Sequence, residues 1–408
     1  MTIVPFGAAP ERQRIAAAWE VLFIFLRLGV TCFGGPIAHI GYFRDEFVVR
    51  RRWLDERAYA DLVGLCQFLP GPASSQVGFS IGLMRAGYLG GVAAWTGFTL
   101  PSAFALVLFA YSASALEGPI GLGLLHGLKL VAVAIVAQAV WGMARTLCPD
   151  RVRGSIAVIA ALIILFVTSP FAQIGAIALG GVVGLWFCRA LPTSDSGHVA
   201  VPVSRRVGAA ALLVFVVLLF ALPILGGHGA PGGFSLFDAF YRSGALVFGG
   251  GHVVLPLLHE AFVTPGLVSD DAFLAGYGAA QAVPGPLFTF AAYLGVIVKL
   301  PPHGVAGAFL ALLGIFLPGI LILIGVLPFW DSLRSRPAAQ AIMRGVNAAV
   351  VGLLGAALYT PVWTSAVKSS GDFGLVLVGF VLLTVWRAPP LVVVAISAVG
   401  GIVLGQAA

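Results

Sequence analysis

Charged residues are scarce in this chain. They make up 10% of its 408 residues, whereas 60% are hydrophobic. A soluble globular domain has roughly 25% charged residues, so the composition excludes that class. Apolar runs near the length of a membrane-crossing helix recur along the whole chain. They predict an all-α polytopic membrane protein with about 10–13 transmembrane segments, some of them broken or re-entrant.

The usual signatures of enzymes and metal sites are also lacking. The 4 cysteines form no CxxC pair and no Cys/His metal spacing, so they are predicted to be small apolar side chains within helices. No glycine-rich phosphate loop, catalytic triad or HExxH motif is present. We therefore expect no catalytic residue, no metal, no cofactor and no nucleic-acid partner. The N-terminus lacks a cleavable signal pattern, so the first apolar segment is expected to remain.

An internal repeat organises the chain. FLRLGVTCFGGP, starting at Phe25, aligns with FYRSGALVFGGG, starting at Phe240, at an offset of 240 − 25 = 215. QFLPGP aligns with QAVPGP (281 − 67 = 214), and Gly127-Leu-Lys aligns with Gly345-Val-Asn (345 − 127 = 218). The alignment predicts two homologous halves, residues 1–190 and 236–408. Residues 191–235 form a linker with one unmatched apolar span, Val207–Leu225.

The loop charges predict that the halves are inverted. Six segments in each half, plus one connecting span, turn the second half upside down. Cytoplasmic loops carry the excess of arginine and lysine. A first-half loop carries Arg145, Arg151 and Arg153, whereas the aligned loop of the second half has only Lys368. Conversely, a second-half loop carries Arg334 and Arg336, whereas the aligned loop of the first half has Glu117 and no cation. Inverted repeats require such an exchange.

Counting membrane crossings leaves one question open, namely whether the first two segments of each half cross the membrane. If both cross, the basic Arg44–Arg57 loop lies outside, against the positive-inside rule. If both are re-entrant, that loop lies inside and every later loop keeps its side. Two crossings and none are equivalent for the rest of the chain, so the sequence does not choose between them.

Four backbone breaks occupy matching positions in the two halves. FGG lies at Phe33–Gly35 and Phe248–Gly250, and PGP lies at Pro70–Pro72 and Pro284–Pro286. Proline and glycine interrupt helices, and interrupted backbone survives in a membrane where it is buried in protein or lines a wet cavity. Paired breaks in inverted halves indicate a substrate site near the midplane of a transporter. Proline kinks and close glycine packing are the structural alternative.

The residues around the breaks favour an anion. Arg27 lies mid-span with no acidic residue one turn away, so we expect a buried arginine at the site. Its aligned partner Arg242 has Asp238 one turn earlier, where an intrahelical ion pair is the alternative. Guanidinium groups and helix N-termini both bind oxyanions. Further hydrogen bonds are expected from Ser74, Ser75, Gln76 and Thr289. This set predicts a site for a small tetrahedral oxyanion or a carboxylate.

A proton route is not evident in the sequence. His39 and His252 follow the FGG breaks, where a histidine either titrates during transport or simply packs at a helix end. Intramembrane carboxylates are few, and the candidates are Glu20, Asp61 and Asp238. Lys129, which aligns with Asn347, either faces a cavity or extends to the membrane surface.

The segments FLRLGVTCFGGPIAH, QFLPGP, FGGGHVVLPLL and QAVPGP resemble the two-domain, long-chain members of the chromate ion transporter (CHR) family. The resemblance spans Phe25 to Gly405. It implies antiparallel homologous halves in an inner membrane, export of chromate and coupling to the proton motive force. The family motifs fall on Arg27, Gly34, Gly35, Pro36, His39, Gln67, Pro70, Gly71, Pro72, Arg242, Gly249, Gly250, Gly251, His252, Gln281, Pro284, Gly285 and Pro286. The halves differ because Gly251 stands where the first half has Pro36.

Alternative functions remain open at this level. Chromate and sulfate are tetrahedral dianions of nearly equal size, so a sulfate carrier that also accepts chromate fits the same residues. A non-transporting membrane subunit and a channel are further alternatives, although the unbroken spans are too apolar for a continuous pore lining. Lipid surrounds the protein in every case. The sequence leaves the oligomeric state, including a homodimer, undetermined.

Overall fold

The computed structural model describes residues 11–113, 118–167, 172–188, 203–225, 232–248, 251–330, 333 and 336–407. This part of the chain is helical and contains no strand. The helices of the first half are α1 (Glu11–Thr31), α2 (Gly35–Arg44), α3 (Glu56–Phe68), α4 (Ala73–Ala113), α5 (Pro119–Leu147), α6 (Arg151–Phe166) and α7 (Ala172–Phe187). Helix α8 (Arg205–Leu225) connects the halves. The second half contains α9 (Gly232–Ala245), α10 (Val254–Phe262), α11 (Asp270–Ala282), α12 (Phe290–Ile297), α13 (Gly304–Val326), α14 (Pro337–Ala357), α15 (Ser370–Thr384) and α16 (Pro390–Ala407).

Short irregular helices extend or precede several of these. A π-helix, Asp45–Arg50, continues α2, and another, Leu358–Trp363, continues α14. Three-residue 3₁₀ turns are Gly251–Val253 before α10, Leu287–Thr289 before α12 and Leu327–Phe329 after α13. Tight turns of this kind are common at helix ends, where backbone groups lack their usual partners.

The fold is that of an all-α polytopic membrane protein. Within the described residues, five helical stretches are long and apolar enough to cross a bilayer: Ala73–Ala113, Pro119–Leu147, Arg205–Leu225, Gly304–Phe329 and Pro337–Ala366. Shorter apolar helices include Ala172–Phe187 and Ser370–Thr384. Many exposed side chains on these helices are large and apolar, such as Leu89 and Phe104, which a lipid environment favours over water.

Each of the first two segments of the first half is a hairpin: α1 pairs with α2, and α3 pairs with the first part of α4. The carboxylate of Glu20, midway along α1, lies 3.2 Å from Arg51, which follows α2, and 2.9 Å from Arg85 near the middle of α4. Helix α1 therefore runs inward from Glu20, and α2 returns to the same level. Helix α3 likewise runs inward, and the first part of α4 returns. Neither pair crosses from one end of the molecule to the other, which answers the question that the sequence left open.

Helix α4 reverses direction before it crosses. Ala86 and Gly87 have non-helical backbone angles, with φ of 69° at Gly87. On either side of this kink, Gly82 packs against Gly90 so closely that a Cβ on Gly82 would lie 2.2 Å from the Gly90 carbonyl oxygen. The residues before the kink thus run antiparallel to those after it, and only the later part continues to the opposite end.

The second half contains the same two hairpins. The Lys299 amide, after α12, donates to the Leu267 carbonyl between α10 and α11 at 3.3 Å. The start of α9 reaches the same level, because a Cβ on Gly232 would lie 2.1 Å from the Pro301 carbonyl oxygen. Helices α9 to α12 therefore enter and return at one end of the molecule, as α1 to α4 do.

The two ends of the molecule carry different charges. Apart from Arg27 and Arg242, the described arginines lie at the end that contains Glu20, which we call the arginine-rich end. Lys129, Lys299 and Lys368 lie at the opposite end. At the arginine-rich end, hydrogen bonds from the backbone and guanidinium of Arg153 lower the pKa of the Asp150 carboxyl.

We expect Glu20→Gln to loosen both first-half hairpins. The substitution removes the shared carboxylate of two ion pairs, and all three side chains are partly exposed, so the loss in unfolding free energy should be about 1 kcal/mol. Thermal unfolding of the detergent-solubilised protein measures it. Glu56→Gln is the control, because it removes a single ion pair with Arg44 and the Glu56 carboxylate is more exposed than that of Glu20. A Glu20→Gln protein no less stable than Glu56→Gln would contradict the role of Glu20.

Candidate functional site between the two halves

The four backbone breaks meet in pairs between the halves. The Gly71 amide donates to the Val247 carbonyl at 2.7 Å, and the Gly285 amide donates to the Cys32 carbonyl at 2.9 Å. The alignment equates the two donors (285 − 71 = 214) and the two acceptors (247 − 32 = 215). Each PGP break is therefore hydrogen-bonded to the residues that precede the FGG break of the other half. We call this region the junction.

The middle residue of each PGP break must be glycine. Gly71 has φ of 116° and Gly285 has φ of 100°, a region that residues with a Cβ rarely adopt. A Cβ on Gly71 would lie 2.9 Å from the Gly319 Cα, and one on Gly285 would lie 2.8 Å from the Ser102 Oγ. The α13 backbone at Gly319 and the Ser102 side chain of α4 thus approach the breaks too closely for any side chain.

Side chains just after each PGP break hold its backbone. Gln76 Nε2 donates to the Pro70 carbonyl and to the Gly319 carbonyl, both at 2.9 Å. Thr289 Oγ1 donates to the Pro286 carbonyl at 2.7 Å. Sequence reasoning expected these two side chains to face a ligand, but their donors stabilise the breaks. It also missed Gly319, which directly follows Pro318 in α13 and comes close to the backbone of Gly71.

A cluster of buried polar side chains lies beside the junction in the first half. His39 is fully buried between α2 and α4, with Nδ1 3.4 Å from the Ser74 Oγ and its ring edge-on to Phe98. Buried atoms of this cluster that bond to no described residue are His39 Nε2, Ser75 Oγ, Gln76 Oε1, Ser80 Oγ and Thr99 Oγ1. A buried polar group without a partner costs roughly 1–3 kcal/mol. The Ser75 and Thr99 hydroxyls thus keep a donor that no described residue uses.

The second half contributes a different set. His252 Nδ1 lies 2.7 Å from the hydroxyl of Tyr277, which is fully buried. The offset of 215 equates His39 with Val254, so the two histidines occupy different positions in their halves. Each histidine bonds a neighbouring hydroxyl and packs near an aromatic ring, as expected of a packing histidine.

The structure does not place Arg27 in the buried cluster. Its side chain is exposed on α1, on the face that carries Phe23, Leu26 and Val30, so the expectation of a buried arginine is wrong. Hydropathy along a sequence gives depth but not the direction in which a helical residue points. The intrahelical alternative for Arg242 is confirmed, because its guanidinium lies 2.6 Å from Asp238.

Exposed residues connect Arg27 with the start of α2. Thr31 lies one helical turn after Arg27, Gly34 follows the end of α1, and all three residues are exposed. Among the described residues, no atom lies within 4 Å of a Cβ placed on Gly35, at the N-terminus of α2. Helix N-termini carry partial positive charge. Arg27, Thr31 and Gly34 therefore lead along the exposed surface to the partly positive N-terminus of α2.

The predicted site residues thus fall into separate groups. Those at the junction or in the buried cluster are Pro36, His39, Pro70, Gly71, Pro72, Ser74, Ser75, Gly251, Pro284, Gly285 and Pro286. His252 and Gln281 flank it at Tyr277, and Gln67 is exposed at the end of α3. Gly249 and Gly250 lie outside the described residues.

Comparison with known proteins identifies the family. The model of the family described as "Chromate transporter" matches residues 19–185 and again residues 234–402. The chain belongs to the chromate transporter family. Both matched regions contain one FGG and one PGP break, so the family relationship extends over both sides of the junction.

Several curated relatives are similar over most of their length. A chromate transport protein of Pseudomonas aeruginosa is 28% identical over 92% of this chain and 89% of its own. An uncharacterized transporter, MJ0718, of Methanocaldococcus jannaschii is 28% identical over 84% of each chain. The uncharacterized transporter YwrA of Bacillus subtilis is 29% identical, and its match covers 96% of that protein but 41% of this chain. No solved structure matches.

Proposed function

We propose that this chromate transporter family member exports chromate across the inner membrane. The observation that carries the proposal is the junction, where four broken helices from both halves meet at two equivalent hydrogen bonds. Helices α2, α4, α10 and α12 all begin at these breaks, so the positive ends of their dipoles lie around the same region. Buried hydroxyls and the open start of α2 beside Arg27 complete an environment that favours a dianion over a cation.

The charge distribution orients the protein in the membrane. Arginine and lysine accumulate on the cytoplasmic side of membrane proteins, so the arginine-rich end is cytoplasmic in this proposal. The two halves are inverted repeats that share the junction, and rocking of one hairpin pair against the rest alternates access to it. Chromate enters from the cytoplasm and leaves at the opposite end, driven by the proton motive force. Asp61, buried in α3 with Trp330 Nε1 at 3.4 Å, is the intramembrane carboxylate best placed to take part in coupling.

Transport by the purified protein tests the function. Proteoliposomes are loaded under an imposed pH gradient, and radiolabelled chromate movement is followed with and without excess sulfate. We expect gradient-dependent chromate movement. Equal competition by sulfate would make the chain a general oxyanion carrier. If neither anion moves under any gradient while the protein remains folded, the proposal is wrong, and the family member acts as a subunit or scaffold.

We expect Arg27→Gln to lower chromate transport about 10- to 100-fold. A charge-assisted hydrogen bond contributes about 1.5–3 kcal/mol, and each 1.4 kcal/mol corresponds to a factor of ten. Initial rates in proteoliposomes measure the effect. Arg336→Gln removes a charge at the start of α14, far along the chain from either break, and should transport normally. If Arg27→Gln transports chromate normally, Arg27 does not bind the ion, and the proposed function is unaffected.

A further inference from the structure

Helices α3 and α11 occupy aligned positions in the two halves but differ in their surroundings. The offset of 214 equates Ala60 with Leu274 and Gly64 with Gly278. Ala60 and Gly64 are exposed, together with Gln67 one turn later, and these three residues form one stripe along α3. On α11, Leu274 and Gly278 are buried. The same face of the same helix is therefore open in one half and covered in the other.

Close packing explains the covered face. Helix α11 packs along α5, and a Cβ on Gly278 would lie 2.1 Å from the Leu128 carbonyl oxygen. Next to this contact, Lys129 Nζ lies 2.9 Å from the Asp271 carboxylate. In the first half, a Cβ on Gly64 would meet no atom of the described residues within 4 Å. Among the described residues, α3 has no extensive contact with α14, the helix aligned with α5.

The open face of α3 does not have the character of a lipid-facing surface. Its exposed residues are small or polar: Glu56, Arg57, Ala60, Gly64 and Gln67. No large apolar side chain of α3 is exposed, whereas the outer face of α4 exposes Leu89, Leu100 and Phe104 by half or more of their surface. The stripe begins at the arginine-rich end and finishes at the first PGP break. Water, and not lipid, suits such a face.

We propose that the stripe on α3 is the access path from the arginine-rich end to the junction, and that the contact of Gly278 with Leu128, reinforced by Lys129 and Asp271, closes the equivalent path at the opposite end. This inference rests on the proposed transport function and assigns the structure to its inward-open state. A cavity of about 490 Å³, lined by His126, Lys129, Asp271 and Lys299 among others, lies on the outer side of the closed contact. It is the vestibule into which the ion leaves.

The alignment also describes the outward-open state. Leu128 corresponds to Val346 at the offset of 218. When access alternates, α3 packs Gly64 against the backbone of α14 near Val346, and α11 separates from α5 with loss of the ion pair between Lys129 and Asp271. Glycine at both Gly64 and Gly278 is required because each position meets a neighbouring backbone in one of the two states.

Labelling of introduced cysteines from each side of the membrane tests the assignment without any transported ion. The aligned variants are Ala60→Cys and Leu274→Cys, with Gln67→Cys and Gln281→Cys as a second pair that changes the same residue type. The full chain in vesicles of known orientation is treated with a membrane-impermeant maleimide. Native Cys32, Cys66 and Cys188 are buried, and the unsubstituted protein gives the background.

We expect Ala60→Cys and Gln67→Cys to label from the arginine-rich side at least about tenfold faster than their partners label from either side, since labelling follows the population of the open state. Equal rates within the aligned pairs, or no labelling of Ala60→Cys from either side although denatured protein reacts, would overturn the assignment. If the protein does not transport chromate but the aligned cysteines still label at different rates, the proposed function is wrong and the access path remains supported.

A second variant tests the closing contact. Lys129→Ala removes the ion pair with Asp271 and should raise labelling of Leu274→Cys from the opposite end about two- to fivefold, the size of effect expected from a partly exposed pair. Lys368→Ala removes a lysine from the same end but outside this contact and should change nothing. If Lys129→Ala does not increase the labelling rate of Leu274→Cys, the ion pair does not help to close the path.

Discussion

Gly71→Ala and Gly285→Ala should each abolish transport and lower the stability of the protein. At φ of 100° or more, a residue that carries a Cβ is strained by about 1–2 kcal/mol. Each would also press on packed atoms of the other half, the Gly319 Cα at 2.9 Å or the Ser102 Oγ at 2.8 Å, and overpacking typically costs about 1–3 kcal/mol. The two costs act on the same junction, so the hydrogen bonds of Gly71 to Val247 and of Gly285 to Cys32 should be lost with them.

Two other glycines separate the contributions. Gly35 has φ of 77° but no neighbour within 4 Å of its Cβ position, so Gly35→Ala carries the backbone cost alone. Gly175, in α7, has neither a left-handed backbone nor a neighbour, and Gly175→Ala should be neutral or slightly stabilising. Thermal unfolding in detergent and chromate transport in proteoliposomes should both rank the variants in this order. Normal transport by Gly71→Ala would show that the tight junction is unnecessary.

The positions of the breaks were predictable because proline and glycine interrupt helices locally. Both PGP breaks and the first FGG break fall at the ends of helices in the described residues. The pairing of breaks was not predictable. The bond from Gly71 to Val247 joins residues far apart in the chain, and only the packing of the two halves brings them together.

Two other features depended on information that hydropathy does not contain. Arg27 and Phe25 are two positions apart on α1, yet Phe25 is fully buried and Arg27 is exposed, because the direction of each side chain depends on which face α4 covers. The difference between α3 and α11 is still less accessible to sequence reasoning. In the proposed alternating-access cycle each helix must suit both kinds of surroundings, which accounts for the similarity of their sequences.

Gln76→Leu should destabilise the protein by about 2–5 kcal/mol and greatly reduce transport. The Gln76 amide group donates to the Pro70 and Gly319 carbonyls, and it thereby joins the first PGP break to α13 of the other half. Leucine fills a similar volume but donates no hydrogen bond. Two carbonyl groups would lose a partner at a buried position, at roughly 1–3 kcal/mol each. Thermal and denaturant unfolding in detergent measure the stability, and proteoliposome assays measure the transport.

Two further substitutions distinguish the loss of these bonds from other effects. Gln76→Glu keeps the shape, but an ionised carboxylate only accepts hydrogen bonds, so it would repel both carbonyls and place a negative charge beside the path of an anion. It should be worse than leucine in transport. Gln67→Leu changes the same residue type at an exposed position of α3 and should leave stability within about 0.5 kcal/mol. If Gln76→Leu unfolds like Gln67→Leu, the Gln76 side chain does not join the halves. If Gln76→Leu remains stable but no longer transports, the side chain acts on the ion and not on the break.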